Sequence, residues 1–295
     1  MKLCTFKALH STFQDSIFTW AYFTDFDKVK NNIEAVAKEL NLLNYLIGKS
    51  DVETEFLNLV REYPKVRQVL PLLIAVRIEK LKNMPIITDM ESLISQDKSH
   101  IFDSEQINEE ELKIFFRHSG LKNILQDRNV KNLVDYCFGV EVGMDTNARK
   151  NRTGTLMENI VGEYLNAFCR KHEHFRLLKQ ATVKKIKADF ELDIRMDKSD
   201  RRFDFALFNE QTKQIFLVEV NYYSSRGSKL KATAGEYKHL NDFLKEQNVT
   251  LIWITDGQGW LTALKPLQET FNHNDYVINI SMLQNGILSK ILNVA

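Results

Sequence analysis

Arg202-Phe203-Asp204-Phe205-Ala206-Leu207-Phe208, a polar stretch from Asn209 to Gln214, and Ile215-Phe216-Leu217-Val218-Glu219-Val220-Asn221 read together as a β-hairpin. Both apolar runs have strand length and are rich in aromatic and aliphatic residues. With the polar stretch as the loop, antiparallel pairing sets Phe205 against Val218 and Asp204 against Glu219. Side chains alternate between faces, so Phe203, Phe205 and Leu207 share an apolar face with Val220, Val218 and Phe216. The opposite face carries Phe208 with Ile215, Ala206 with Leu217, and Asp204 with Glu219; Asn221 follows two residues on. Two carboxylates directly across a ladder repel. A positive group is expected between them, and a hard divalent cation held through oxygen suits the donors. A nearby lysine or arginine would answer the same need.

On the C-terminal side, an amphipathic helix is expected over about 229–247, ahead of Val249-Thr250-Leu251-Ile252-Trp253-Ile254-Thr255, a run apolar enough for a buried central strand. A crossover helix makes that strand parallel to the second hairpin strand. Asp256-Gly257-Gln258-Gly259 is then a turn at its carboxyl end. On the N-terminal side, a helix from about Thr155 to Lys171 puts Leu156, Ile160, Val161, Tyr164, Leu165 and Phe168 on one stripe. Strands are expected near 182–187 and 189–195. The result is an α/β fold, a mixed sheet flanked by helices.

The first 140 residues are mostly helical, with apolar three- and four-residue spacing near 27–47, 51–62, 70–82, 108–118 and 129–138. Asn108 with Glu111 has the form of a capping box. A composition change near Gly139 to Thr153 divides the chain into a helical region, 1–140, and the α/β domain, 141–295.

At 295 residues, 44% hydrophobic and 27% charged, the chain has the make-up of a soluble globular protein with ample core material. Its apolar runs are too short to cross a bilayer, and no export signal is read at the N-terminus. Cys4, Cys137 and Cys169 form neither a CxxC nor an even set. A cytoplasmic protein without membrane contact is expected. The net charge of +1 conceals a segregation: residues 1–145 hold 18 Lys and Arg against 22 Asp and Glu, and residues 146–245 hold 20 against 13. Basic surroundings around an acidic pair suit a phosphodiester substrate, cations holding the backbone and carboxylates the metal; a solvated charged surface has the same composition. His172-Glu173-His174 is not HExxH, and there is no GxxxxGK[ST] loop or G-x-S-x-G elbow, so zinc protease, nucleoside triphosphatase and serine hydrolase chemistries find no support.

The order of elements, with an acid on one central strand and Glu-x-Asn on the next, resembles the PD-(D/E)XK nuclease fold. The flanking residues resemble a narrower group. Val140-Glu141-Val142-Gly143-Met144-Asp145-Thr146-Asn147-Ala148-Arg149-Lys150-Asn151-Arg152-Thr153-Gly154, then Met157-Glu158-Asn159-Ile160-Val161, are similar to type II restriction endonucleases of the GATC-cutting DpnII/MboI family. So are Arg202-Phe203-Asp204-Phe205, Glu219-Val220-Asn221-Tyr222-Tyr223-Ser224, Gly227-Ser228-Lys229-Leu230 and Trp253-Ile254-Thr255-Asp256-Gly257-Gln258-Gly259-Trp260. In the N-terminal half, Tyr22-Phe23-Thr24-Asp25-Phe26 and Pro71-Leu72-Leu73-Ile74-Ala75 carry the likeness too.

The resemblance implies Mg²⁺-dependent cleavage of double-stranded DNA at unmethylated GATC by a homodimer, in partnership with a cognate adenine methyltransferase. It implies that Asp204, Glu219 and the carbonyl of Val220 hold the metal. Asn221 stands where the wider superfamily has lysine, and a neutral amide can orient water but cannot neutralise charge. Lys229 is the candidate for the missing cation, or else a phosphate contact. Glu158, three residues after Thr155, suits a capping box; the fold also often places an acid there near the metal. Arg149, Lys150 and Arg152 are candidates for phosphate or guanine contacts, or are solubility charges. Ser225, Arg226 and Ser228 lie in a small-residue run ahead of a helix N-terminus, suited to phosphate or to a plain loop with a Ser cap. A repair or junction nuclease of the same fold and an inactive DNA-binding module are the alternatives; the intact acid pair speaks against the second.

Overall fold

The turn of the hairpin is made by Asn209, whose side-chain oxygen accepts the backbone N–H groups of Gln211 and Thr212 at 2.9 and 3.1 Å. The computed structural model describes residues 2–147, 149–195, 201–227 and 229–294. By its internal contacts the chain divides into two units, residues 20–149 and residues 1–19 together with 150–295. Where the sequence reading drew one division, after residue 140, the first nineteen residues return to the C-terminal unit.

The C-terminal unit is built on five strands in spatial order β1 (Phe175–Ala181), β2 (Phe203–Asn209), β3 (Ile215–Tyr222), β4 (Thr250–Asp256) and β5 (Tyr276–Ile278). β1, β2 and β3 are antiparallel, with Phe205 opposite Val218 and Phe208 opposite Ile215, as the alternation predicts. β4 and β5 run parallel to β3. Around the sheet lie α1 (Arg149–Lys171), α2 (Val183–Phe190), α3 (Lys229–Lys245) and α4 (Leu264–His273).

Two cores result. Phe205, Leu207, Phe216 and Val218 pack with Met157, Val161 and Leu165 of α1. Ala206, Phe208, Leu217 and Trp253 pack with Leu230, Tyr237 and Leu240 of α3 and Ile186 and Phe190 of α2. Each fully buried aliphatic or aromatic side chain contributes about 1.5–3 kcal/mol. Phe203 departs from the expected face and joins the second core, where the β1–β2 pairing is interrupted beside Gln180, at φ +52°. Leu9 and Phe13 belong to this core as well.

The strand expected over 182–187 is instead helical. Thr182 caps α2 by accepting the Lys185 N–H, Ile186 and Phe190 fall on one buried side four residues apart, and Glu191 closes the helix at φ +57°. The strand before it, β1, was not expected; residues 191–195, expected as a strand, belong to no element. After β4, Asp256 is fully buried, and its carboxylate accepts the N–H groups of Gln14, Gly257 and Ile280 at 2.7, 2.7 and 3.0 Å.

In the N-terminal unit, the helix expected over 27–47 is two, Phe26–Glu34 and Ala37–Leu43, and that over 70–82 is broken where Ala75 turns to φ +58°. Asn108 caps helix Glu109–His118, but Glu111 reaches Lys98 and His100 at 2.5 and 2.7 Å and does not close the expected box. A hairpin, Ile86–Asp89 with Ile94–Gln96, was also not expected. Helix Leu133–Thr146 buries Glu141 and Asp145; Glu141 is held by Arg77 at 2.5 Å and Asn32 at 2.9 Å.

Candidate functional site

The ladder between β2 and β3 runs as far as Phe205 opposite Val218. One residue further, the Asp204 carboxylate accepts the backbone N–H of Val220 at 2.8 Å, taking the place a ladder carbonyl would occupy. The parallel register sets Glu219 beside Trp253 and Asn221 beside Thr255. Glu219, Asn221 and Trp253 thus share the face covered by α3. From α3, the Tyr237 hydroxyl donates to Glu219 Oε2 at 3.2 Å, and Trp253 Nε1 donates to Asn221 Oδ1 at 2.8 Å.

Glu219 is 8% exposed. Burial, then the neighbouring Asp204 charge, push its carboxyl up to about 8, against the pull of Arg201 and Tyr237. Burial, then Glu158, raise Asp204 to about 6, against the Val220 N–H and Arg202. Burial likewise raises Glu158, opposed by Arg202 and by the Gln180 amide, which donates to it at 2.7 Å. Asp204 thus lies near enough to Glu219 for its charge to raise that carboxyl.

All the donors here are oxygens, which fits a hard cation. Asp204 commits one oxygen to the Val220 N–H, and Glu219 accepts the Tyr237 hydroxyl on Oε2 while its Oε1 faces the Arg201 guanidinium at 3.9 Å. Among the described residues no three His, Cys, Asp or Glu side chains are grouped to ligate one ion. A cation on this pair would complete its shell with carbonyl oxygens and water.

This geometry lies within a chain whose residues 5–290 match the profile of the DpnII restriction endonuclease family. The chain belongs to that family. It is 47% identical to the type II restriction enzyme MjaIII of Methanocaldococcus jannaschii, over 97% of this chain and 99% of the relative. Against the type II restriction enzyme DpnII of Streptococcus pneumoniae identity is 41%, over 95% and 96% of the two chains, and against MboI of Moraxella bovis it is 35%, over 97% and 96%. Because the family match runs through both units, the helical N-terminal region is part of what the DpnII family shares.

Other residues singled out in this DpnII-family sequence are placed as follows. Thr155 and Glu158 are the seventh and tenth residues of α1, which begins at Arg149, so Thr155 is not a cap and the capping-box explanation fails. Lys229 opens α3 with an exposed side chain, and the cations felt by the acids are instead Arg201 and Arg202. Arg149 belongs to the N-terminal unit, where it donates to the Phe23 carbonyl at 3.1 Å and stacks on its ring. Arg152 is half-buried, while Ser225 and Arg226 are exposed ahead of α3. The Lys150 side chain and Ser228 lie outside the described residues.

Sequence reading missed four participants. Arg201, 9% exposed, approaches Glu219 at 3.9 Å and pairs with Glu236 at 2.8 Å. Arg202, Tyr237 and Trp253 are the others. The adjacent arginines opening β2 were a visible signal; nothing local marked the tyrosine or the tryptophan as other than core.

Proposed function

We propose that the chain is a type II restriction endonuclease that cuts both strands of unmethylated GATC in double-stranded DNA, with Mg²⁺ held by Asp204, Glu219 and the Val220 carbonyl. The observation that carries this reading is the Asp204 carboxylate at the end of the β2–β3 ladder, held on the Val220 N–H of the strand that carries Glu219. Family membership supports the restriction activity, and the sequence resemblance to GATC-cutting enzymes supports the site. Magnesium, when bound, supplies polarisation of a phosphoryl oxygen and acidification of a water.

The protein's own groups do the rest. Arg201 and Arg202 offset the crowded negative charge and lower the cost of bringing a phosphate beside it. Glu158 stands as a third acid next to Asp204, able to hold a water or accept its proton. Lys229, Arg226 and Ser225, together with Ser228, are assigned to the DNA backbone, as are Arg149, Lys150 and Arg152. A two-fold palindrome is read most simply by a homodimer, and cellular use requires a cytoplasmic adenine methyltransferase partner to protect host sites.

The test is incubation of purified protein with unmodified and adenine-methylated GATC-containing plasmid, with and without Mg²⁺. Discrete fragments from unmodified DNA in Mg²⁺ alone are expected. Uncut DNA, or cutting without a fixed fragment pattern, would overturn the assignment.

A further inference from the structure

Strand β1 changes phase at a single residue. Leu178 packs against the core shared with α2 and α3, so strict alternation would send Gln180 to that side as well and Ala181 toward α1. Ala181 is instead fully buried in the same core as Leu178. Gln180, at φ +52°, is where the alternation slips. Its rung is also the one missing from the β1–β2 ladder: Lys179 pairs with Phe205 and Ala181 with Phe203, and the residue across from Gln180 between them is Asp204.

The slip carries the Gln180 side chain to α1, where its amide donates to Glu158 Oε2 at 2.7 Å. A carboxylate only accepts, so the N–H₂ end of the amide must face it. The Gln180 carbonyl, out of the ladder, accepts the Lys185 ammonium of α2 at 3.2 Å. Gln180 is thus held at both ends, its side chain by α1 and its backbone by α2. Across the rung, Asp204 takes the Val220 N–H of β3 at 2.8 Å. Glu158 is thereby fastened at the level of the sheet that carries Asp204. A non-glycine residue in left-handed backbone is strained, and such strain persists only where the surroundings hold it, often beside reacting groups.

We propose that Gln180 is a positioning residue of the cleavage site, its amide, turned out of the β1 alternation, holding the Glu158 carboxylate in place beside Asp204. The inference rests on the proposed reading of Asp204 and Glu219 as ligands of Mg²⁺ and of Glu158 as the third acid. Hydrogen bonds to groups around a metal typically govern affinity or activity by about 10–100-fold.

The experiment measures cleavage of unmodified GATC-containing plasmid in Mg²⁺ by the purified full-length parent, Gln180→Gly, Glu158→Gln, their double mutant and Asp204→Asn, with single-turnover rates, KM and thermal melts for each. Glycine adopts a positive φ without strain, so Gln180→Gly removes the amide and keeps the turn. Expected for Gln180→Gly are a single-turnover rate lower by about tenfold or more, a parent-like KM and a melting temperature no lower than the parent's. The double mutant should be no slower than Glu158→Gln alone, because Gln180 acts through Glu158. A parent-like rate in Gln180→Gly, with Asp204→Asn inactive, overturns the positioning role and leaves the metal site standing. A raised KM with an unchanged rate makes Gln180 a DNA contact and overturns it too, as do additive losses in the double mutant or a parent-like rate in Glu158→Gln. A parent-like rate in Asp204→Asn overturns the metal assignment, and the positioning role with it. Should Gln180→Gly melt below the parent, Gln180→Asn decides by the same measures: asparagine tolerates left-handed backbone and is one methylene too short for the contact.

Discussion

Asp204 closes on the backbone N–H of Val220 at 2.8 Å, so one carboxylate both ends the β2–β3 ladder and braces the strand that carries the other. Removing Asp204 therefore has two separable consequences.

Asp204→Asn keeps an acceptor for the Val220 N–H and loses the charge. DNA cleavage is expected to fall by a factor of about 10³ or more while DNA binding and melting temperature hold. Asp204→Ala should lose cleavage equally and also cost about 1–3 kcal/mol, from the unsatisfied N–H. Glu219→Ala likewise should bind DNA without cutting it. Full cleavage in any of the three, in a Mg²⁺ plasmid assay, would refute the ligand assignment.

The raised carboxyls fix a pH dependence. Between the ordinary carboxyl value and about 6 for Asp204, or about 8 for Glu219, the folded protein holds protons that the unfolded chain releases. Stability must then fall as pH rises through that window. In EDTA the melting temperature is expected to decline from pH 5 to pH 8.5. Glu219→Gln should flatten the decline and be more stable than the parent at pH 8, by on the order of 1–3 kcal/mol. A parent melting temperature that rises across the range would contradict the electrostatics described.

Arg77 reaches Glu141 at 2.5 Å, and Glu141 is 1% exposed with one oxygen lacking a hydrogen-bond partner among the described residues. Arg77→Ala leaves a buried carboxylate with only Asn32. A loss of about 2–3 kcal/mol, less than for a fully buried pair because the arginine is partly solvated, is expected by urea unfolding. A double mutant with Glu141→Gln should recover part of it.

Gly257 sits at φ +104°, and a Cβ there would collide with the Tyr223 backbone. Gly257→Ala should displace the loop between β3 and α3 as well as strain the turn, costing about 2 kcal/mol or more. A parent-like melting temperature would show that this turn tolerates a side chain.

The hairpin was legible in sequence because period-2 alternation and a polar loop determine its register from Phe205 with Val218 to Phe208 with Ile215. Asn221 was placed on the right face for the same reason. β1 was missed because Phe175 to Ala181 carries no regular alternation and directly follows the long helix. Residues 182–187 read as a strand, yet Thr182 supplies an N-cap and the Ile186-to-Phe190 spacing favours a helix. The outer groups of the site were illegible for another reason: Tyr237 lies 18 residues beyond Glu219, and Trp253 lies 32 beyond Asn221. Only the packing of α3 over the parallel pair β3 and β4 brings them together, and both residue types suit an ordinary core.

The first nineteen residues belong to the C-terminal unit, where the Gln14 N–H meets Asp256 and the Leu9 carbonyl accepts from Asn279 at 2.8 Å. The segment from Leu9 to Gln14 therefore finds these partners only once residues 256 to 279 have been synthesised. A chain cut short before Asp256 would leave that segment without the carboxylate that holds Gln14.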